Sequence, residues 1–268
     1  KMKRDFQTIQ DKKIEIDGLT IYYKLVGDSQ KPPLVFLHGH PMPHAPASTF
    51  DFSNVLLELA RHFYVIAPEH IGTMRSDPPK IKFDMRDRAC HLDRFLQKLE
   101  IHNFVLMGQS FGGGVALVYT SVFPNKVKTL ILVDSLSNHF QRVIFMVYAV
   151  RFIVYKLLHS LRLTSKRFYF VSNRIPWNRE KAKLYIDSIA PQNRYIKVSY
   201  EKIKNPTLIV WGNKDKFLTP IWGAYEMKKR ISNSKLIIVN GGHTILYQRP
   251  QYVVQKIVEN LKNRYGFS

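Results

Sequence analysis

A serine set between glycines is the first place in this chain of 268 residues where residue types and spacing could do chemistry. Ser110 stands in Gly108-Gln109-Ser110-Phe111-Gly112, after the apolar run Phe104-Val105-Leu106-Met107 and before Gly113-Gly114-Val115-Ala116-Leu117. The first run is of strand type and the second of helical type. Almost no loop joins them, so the chain must reverse at Ser110. Such a turn strains the serine backbone and is tolerated only where its neighbours are small. It leaves the hydroxyl standing clear, with a helix N-terminus behind it whose N–H groups and dipole favour a developing oxyanion. A serine hydroxyl is a weak nucleophile near neutral pH. It needs a base to take its proton and a third group to orient that base.

Strand, G-x-S-x-G and helix together resemble the nucleophile elbow of the α/β-hydrolase fold, in its serine-nucleophile, esterase- and lipase-like branch with a helical cap. The resemblance implies where the other groups sit. The base belongs in the loop after the final strand, where the chain reads Asn240-Gly241-Gly242-His243. Two positions suit the acid. Asp215 closes Trp211-Gly212-Asn213-Lys214-Asp215 and matches the family pattern W-G-x-x-D, whereas Asp134 ends the strand after the elbow helix, a place where some members carry the acid. Asp215 is favoured, and the order Ser110, Asp215, His243 is that of this fold. His38-Gly39-His40-Pro41 resembles the family's oxyanion loop. It implies that the backbone N–H groups of His40 and Phe111 form the oxyanion hole. Gly39, Gln109, Phe145, Tyr148 and Trp211 are expected to touch substrate. A serine at the elbow argues against the branches with an aspartate nucleophile, the haloalkane dehalogenases and epoxide hydrolases.

These residues need elements to hold them. The alternating stretch from Lys13 to Tyr23 breaks at Asp17-Gly18 and predicts a β-hairpin with a two-residue turn. Pro33 to Leu37, Phe63 to Pro68, Phe104 to Met107, Lys128 to Asp134, Pro206 to Gly212 and Ser234 to Val239 read as strands. Helical periodicity fills Phe52 to His62, Asp84 to Leu99, Pro220 to Ile231 and Pro250 to Arg264, the last with proline in its first turn. The alternation predicts an α/β protein: a doubly wound, mostly parallel eight-stranded sheet with helices on both faces. Glu69 to Pro78 resembles a family loop with G-x-G-x-S, but Met74 replaces its second glycine. Between Asp134 and Pro206 the alternation stops, and Phe140 to Leu163 and Asn178 to Ile189 read as helices. The expected division is a core at 1–135 and 204–268 with a helical cap at 136–203.

The run Val143 to Val150 is very apolar, but Arg151 and Lys156 cut it short of the ~20 residues a membrane span needs. It reads as a cap helix on the core, with an interfacial lid as the alternative. The net charge of +21 is large, yet the 41 lysines and arginines are scattered, with no nucleic-acid motif among them. The charge reads as a solvated surface, so no specific nucleic-acid partner is expected. His38, His40 and His44 crowd one proline-rich loop, a poor scaffold for zinc, and neither metal nor cofactor is expected. A single cysteine, Cys90, permits no internal disulfide, and Lys1 to Asp5 is charged with no apolar segment after it. Both features suit a cytoplasmic protein. Whether it is a monomer or a homodimer is not legible. The expected activity is hydrolysis of carboxylic esters with small to medium acyl groups, or of lactones. The same three residues would also serve C–C bond hydrolysis, amide cleavage or perhydrolysis, and a non-catalytic small-molecule receptor could keep them.

Overall fold

The computed structural model describes residues 8–39, 52–79, 81, 83–138, 150, 154, 157, 161, 196, 198–216 and 219–265. Two strands open the chain, β1 (Gln10–Ile16) and β2 (Leu19–Val26), paired antiparallel with Ile16 opposite Leu19. Asp17 and Gly18 join them at φ +53° and +72°, the two positive values that a tight primed turn requires. The predicted strands follow as β3 (Pro33–Leu37), β4 (Tyr64–Pro68), β5 (Phe104–Gln109), β6 (Val127–Val133), β7 (Thr207–Gly212) and β8 (Ser234–Val239). They form one sheet of eight strands in the order β1-β2-β4-β3-β5-β6-β7-β8. β2 meets β4 antiparallel, and every later pairing is parallel. The doubly wound reading therefore holds.

Burial explains why these runs lack the polar alternation of a half-solvated strand. Leu34 and Phe36 of β3, Val105 and Met107 of β5, and Leu208 and Val210 of β7 point into one apolar cluster. Val35, Leu37, Leu106, Ile209 and Trp211 point into the other. Both faces of a parallel sheet are covered, so both sets must be apolar. Helix α1 (Ser53–Ala60) covers the first face with Val55, Leu56 and Leu59. Helix α2 (Met85–Lys98) covers the other with Ala89, Leu92, Phe95 and Leu96. Asp84 caps α2: its carboxylate accepts from Arg86 N and Asp87 N at 2.7 and 2.9 Å, and Asp87 returns the bond to Asp84 N at 2.9 Å. Further α-helices of the core are α3 (Phe111–Val122), α4 (Trp222–Arg230), the single turn α5 (Ile245–Gln248) and α6 (Pro250–Tyr265).

Met74, where the family has glycine, has φ +48°. The loop keeps the left-handed turn and a methionine occupies it. Of the stretch expected as a cap, Val150, Val154 and Leu157 are helical, and Leu161 N donates to Leu157 O at 2.9 Å. The helix expected over Asn178 to Ile189 lies outside the described residues. At the edges of the stretch the chain packs into the core: Ile196, Val198 and Tyr200 are buried, and Tyr200 Oη accepts from Asn138 N at 2.8 Å. No described helix is long and apolar enough to cross a membrane.

Candidate active site

The elbow forms as the spacing requires. Strand β5 ends at Gln109, helix α3 starts at Phe111, and Ser110 between them has φ +52° and ψ −116°. Its N–H donates to Val133 O at 3.0 Å, and its carbonyl accepts from Gly114 N and Leu136 N at 3.2 and 3.0 Å, so the strained conformation is held from both sides. A Cβ on Gly108 would strike the Gly112 carbonyl, and one on Gly112 would strike the carbonyls of Leu37 and His38. The two glycines are required because the strand and the helix approach backbone to backbone.

The loops after β7 and β8 bring two more side chains to Ser110. His243 Nε2 lies 2.9 Å from Ser110 Oγ, and His243 Nδ1 lies 2.6 Å from Asp215 Oδ2. With Nδ1–H donating to the carboxylate, Nε2 is left to accept the serine proton. The two loops are stitched together. Lys214 N donates to Gly241 O at 2.8 Å, Asn213 N to Val239 O at 3.0 Å, and Gly241 N to Asn213 Oδ1 at 3.2 Å. Burial works to raise the Asp215 pKa. The His243 hydrogen bond and charge and the Thr219 hydrogen bonds outweigh it, and the carboxyl stays below its usual value.

Thr219 was not singled out in the sequence, yet it is the hub of this corner. Its hydroxyl lies 2.5 Å from Asp215 Oδ2, 3.1 Å from His243 Nδ1 and 3.1 Å from Asp134 O. Its N–H donates to Asp215 Oδ1 at 3.2 Å, and its carbonyl accepts from Trp211 Nε1 at 2.7 Å. The only sequence signal was its place before Pro220, at the end of the acid loop.

Among the described residues Asp134, the alternative acid, makes no hydrogen bond to His243. It is fully buried at φ +41°, with Oδ1 accepting from Gly212 N at 2.8 Å and Oδ2 without a hydrogen-bond partner among the described residues. Burial drives its pKa well above the ordinary carboxyl value, against the pull of the Gly212 N–H, and the nearby Asp215 charge adds to the rise.

The expected substrate contacts fare differently. Trp211 is fully buried, its indole turned into the core, where Nε1 donates to Thr219 O. Gln109 is buried too, and its amide donates to His243 O at 3.2 Å. Gly39 packs against the elbow, where a Cβ would strike the Gln109 side chain. Phe111 opens α3 directly behind Ser110. His40, Phe145 and Tyr148 lie outside the described residues. Among the described residues no group of three histidine, cysteine, aspartate or glutamate side chains is placed to hold a metal.

Known proteins agree with this architecture. Human monoacylglycerol lipase ABHD6 is 28% identical over 262 residues, spanning 86% of this chain and 75% of that protein. The 2-hydroxy-6-oxo-2,4-heptadienoate hydrolase of Pseudomonas putida is 33% identical over 114 residues, 41% of this chain and 39% of that one. A serine hydrolase involved in carbazole degradation superposes with a TM-score of 0.75 at 20% identity, over 96% of this chain and all of the other. Residues 32–185 match the model of the alpha/beta hydrolase fold family, and the chain belongs to that family.

Proposed function

We propose that the protein hydrolyses carboxylic esters through an acyl-enzyme, with Ser110 as nucleophile, His243 as base and Asp215 as the acid that orients it. The observation that carries the reading is His243 bridging Ser110 Oγ at 2.9 Å and Asp215 Oδ2 at 2.6 Å. In this scheme His243 takes the serine proton as Oγ attacks the acyl carbonyl. The N–H groups of Phe111 and His40 hold the oxyanion. His243 then gives its proton to the leaving alcohol and activates the water that releases the acid. None of these steps needs a cofactor. The relatives named as monoacylglycerol lipases support an acyl ester with a small polar alcohol as substrate. In this reading the stretch 136–203 forms the cap over it.

Initial rates on p-nitrophenyl esters of rising acyl length and on a monoacylglycerol, with Ser110→Ala beside the wild type, test this. The alanine variant loses on the order of 10⁴-fold or more in kcat. A Ser110→Ala protein that keeps most of its esterase activity overturns the scheme. The second reading, C–C hydrolysis of a vinylogous diketone, draws its support from the Pseudomonas putida relative. It takes over if such a substrate turns over in a Ser110-dependent way while esters do not.

A further inference from the structure

Two buried imidazoles lie beside the nucleophile without belonging to the Ser110–His243–Asp215 line. His38 follows β3 and His70 follows β4; both are buried, with ring centroids 4.5 Å apart. The backbone N–H of His70 donates to His38 Nε2 at 3.2 Å. A ring nitrogen that accepts carries no proton, so the pattern assigns His38 the neutral tautomer protonated on Nδ1. That Nδ1–H donates to the Gly39 carbonyl at 2.7 Å. The His70 side chain answers with Nε2–H donating to the His38 carbonyl at 2.8 Å. Two successive carbonyls of the loop are thus each held by an imidazole N–H. The His70 ring also stands edge-on to the Phe111 ring, 5.2 Å away at 85°.

Gly39 packs directly on the elbow, its α-carbon against the Gln109 and Ser110 side chains, so holding its carbonyl fixes the loop against the start of α3. We propose that His70 is a positioning residue for the oxyanion hole: its N–H selects the His38 tautomer that holds the Gly39 carbonyl, its side chain holds the His38 carbonyl, and its ring braces Phe111, whose N–H is the expected oxyanion donor. The inference rests on the serine-hydrolase reading above. Burial above all, with the nearby Arg88 charge adding, outweighs the hydrogen bond to the His38 carbonyl and keeps the His70 pKa well below its ordinary value, so the ring stays neutral and its wiring is stable.

Losing an oxyanion donor outright costs about 10²–10³ in kcat, so misaiming one should cost roughly ten- to a hundredfold. His70→Leu removes the side-chain donor. His70→Gln places an amide N–H near the same spot. The two variants are compared in kcat and KM on p-nitrophenyl butyrate and in the rate of Ser110 modification by a fluorophosphonate, which needs no knowledge of the natural substrate. In parallel, ¹⁵N NMR of the wild-type ring nitrogens reads the tautomers. The expected result is a loss in kcat and phosphonylation rate for His70→Leu with KM within about threefold, recovery in His70→Gln, and protons on His38 Nδ1 and His70 Nε2. Wild-type rates in His70→Leu, equal losses in both variants, or a proton on His38 Nε2 overturn it. Should His70→Leu fail to fold, the NMR and the His70→Gln rates decide. Ser110→Ala separates the failures: if it stays active the hydrolase reading falls, whereas an inactive Ser110→Ala beside a fully active His70→Leu removes only the role of His70.

Discussion

Replacing Thr219 by valine tests how much catalysis depends on the alignment of the acid. Valine keeps the volume and the β-branch but deletes the hydroxyl. The backbone bonds to Asp215 Oδ1 and from Trp211 Nε1 remain, so the loop has reason to keep its course. What disappears is the hydroxyl 2.5 Å from Asp215 Oδ2, the same oxygen that lies 2.6 Å from His243 Nδ1. A hydrogen bond to a charged group is worth about 1.5–3 kcal/mol. Each 1.36 kcal/mol is a factor of ten in rate, so if that stabilisation serves the imidazolium formed during attack, kcat falls by roughly ten- to a hundredfold. KM should move little, because Thr219 is buried under the acid rather than facing substrate. Thr219→Ser restores the hydroxyl and should recover kcat to within a few fold. Steady-state rates on a p-nitrophenyl ester, with melting temperatures to confirm folding, decide the matter. A Thr219→Val enzyme with unchanged kcat, or one whose whole loss lies in KM, refutes the idea that this hydroxyl aligns the acid and base.

Three further outcomes follow from the packing. Asp134 has its pKa raised in the folded state, so the native protein binds its proton more tightly than the unfolded chain does. Stability therefore falls as pH rises above the unfolded carboxyl value. Asp134→Asn removes that slope, and the melting-temperature difference, mutant minus wild type, should grow from pH 4 to pH 7; a difference independent of pH contradicts this. Gly112→Ala drives a Cβ into the carbonyls of Leu37 and His38, and should yield insoluble protein or a large loss in melting temperature. Asp84→Ala breaks the reciprocal cap of α2 at a cost of about 1 kcal/mol. For a chain of this size that means a fall of roughly 2–4 °C in melting temperature, with kcat untouched.

How much of this could be read from residues alone depended on whether the cause was local. The elbow was legible because Gly108 and Gly112 respond to a crowding that two residues of spacing announce. The meeting of Asp215 and His243 with Ser110 was legible because family patterns place those two residues after β7 and β8. The strands were legible because burial on both faces leaves them apolar throughout. Thr219 was not, since a threonine in a loop carries no mark of the four groups that converge on it. The same holds for His70, whose partners His38 and Phe111 lie 32 and 41 positions away in the chain. Trp211 and Gln109 show the same limit. Their side chains suit substrate contact, and only packing shows that one also bonds the Thr219 carbonyl and the other the His243 carbonyl.

The sheet order carries a consequence for how this chain can vary. β6 and β7 are hydrogen-bonded neighbours, with Leu130 opposite Thr207 and Val133 opposite Val210, although the chain from 134 to 206 runs between them. The excursion leaves from the C-terminal end of β6, beside the loops that hold Ser110 and Asp215, and comes back next to its own start, where Asn138 Nδ2 donates to Val198 O, before the chain runs on to the N-terminal end of β7. In polymer terms it is a closed loop whose ends the core has already fixed. Closure entropy grows only with the logarithm of length, so doubling or halving that stretch would alter core stability by only about 0.6 kcal/mol. Insertions and deletions there are nearly free thermodynamically, while a single methyl group at Gly112 is not. Divergence of substrate can accumulate in the one long stretch, and the hydrogen-bonded machinery beneath it need not change register to follow.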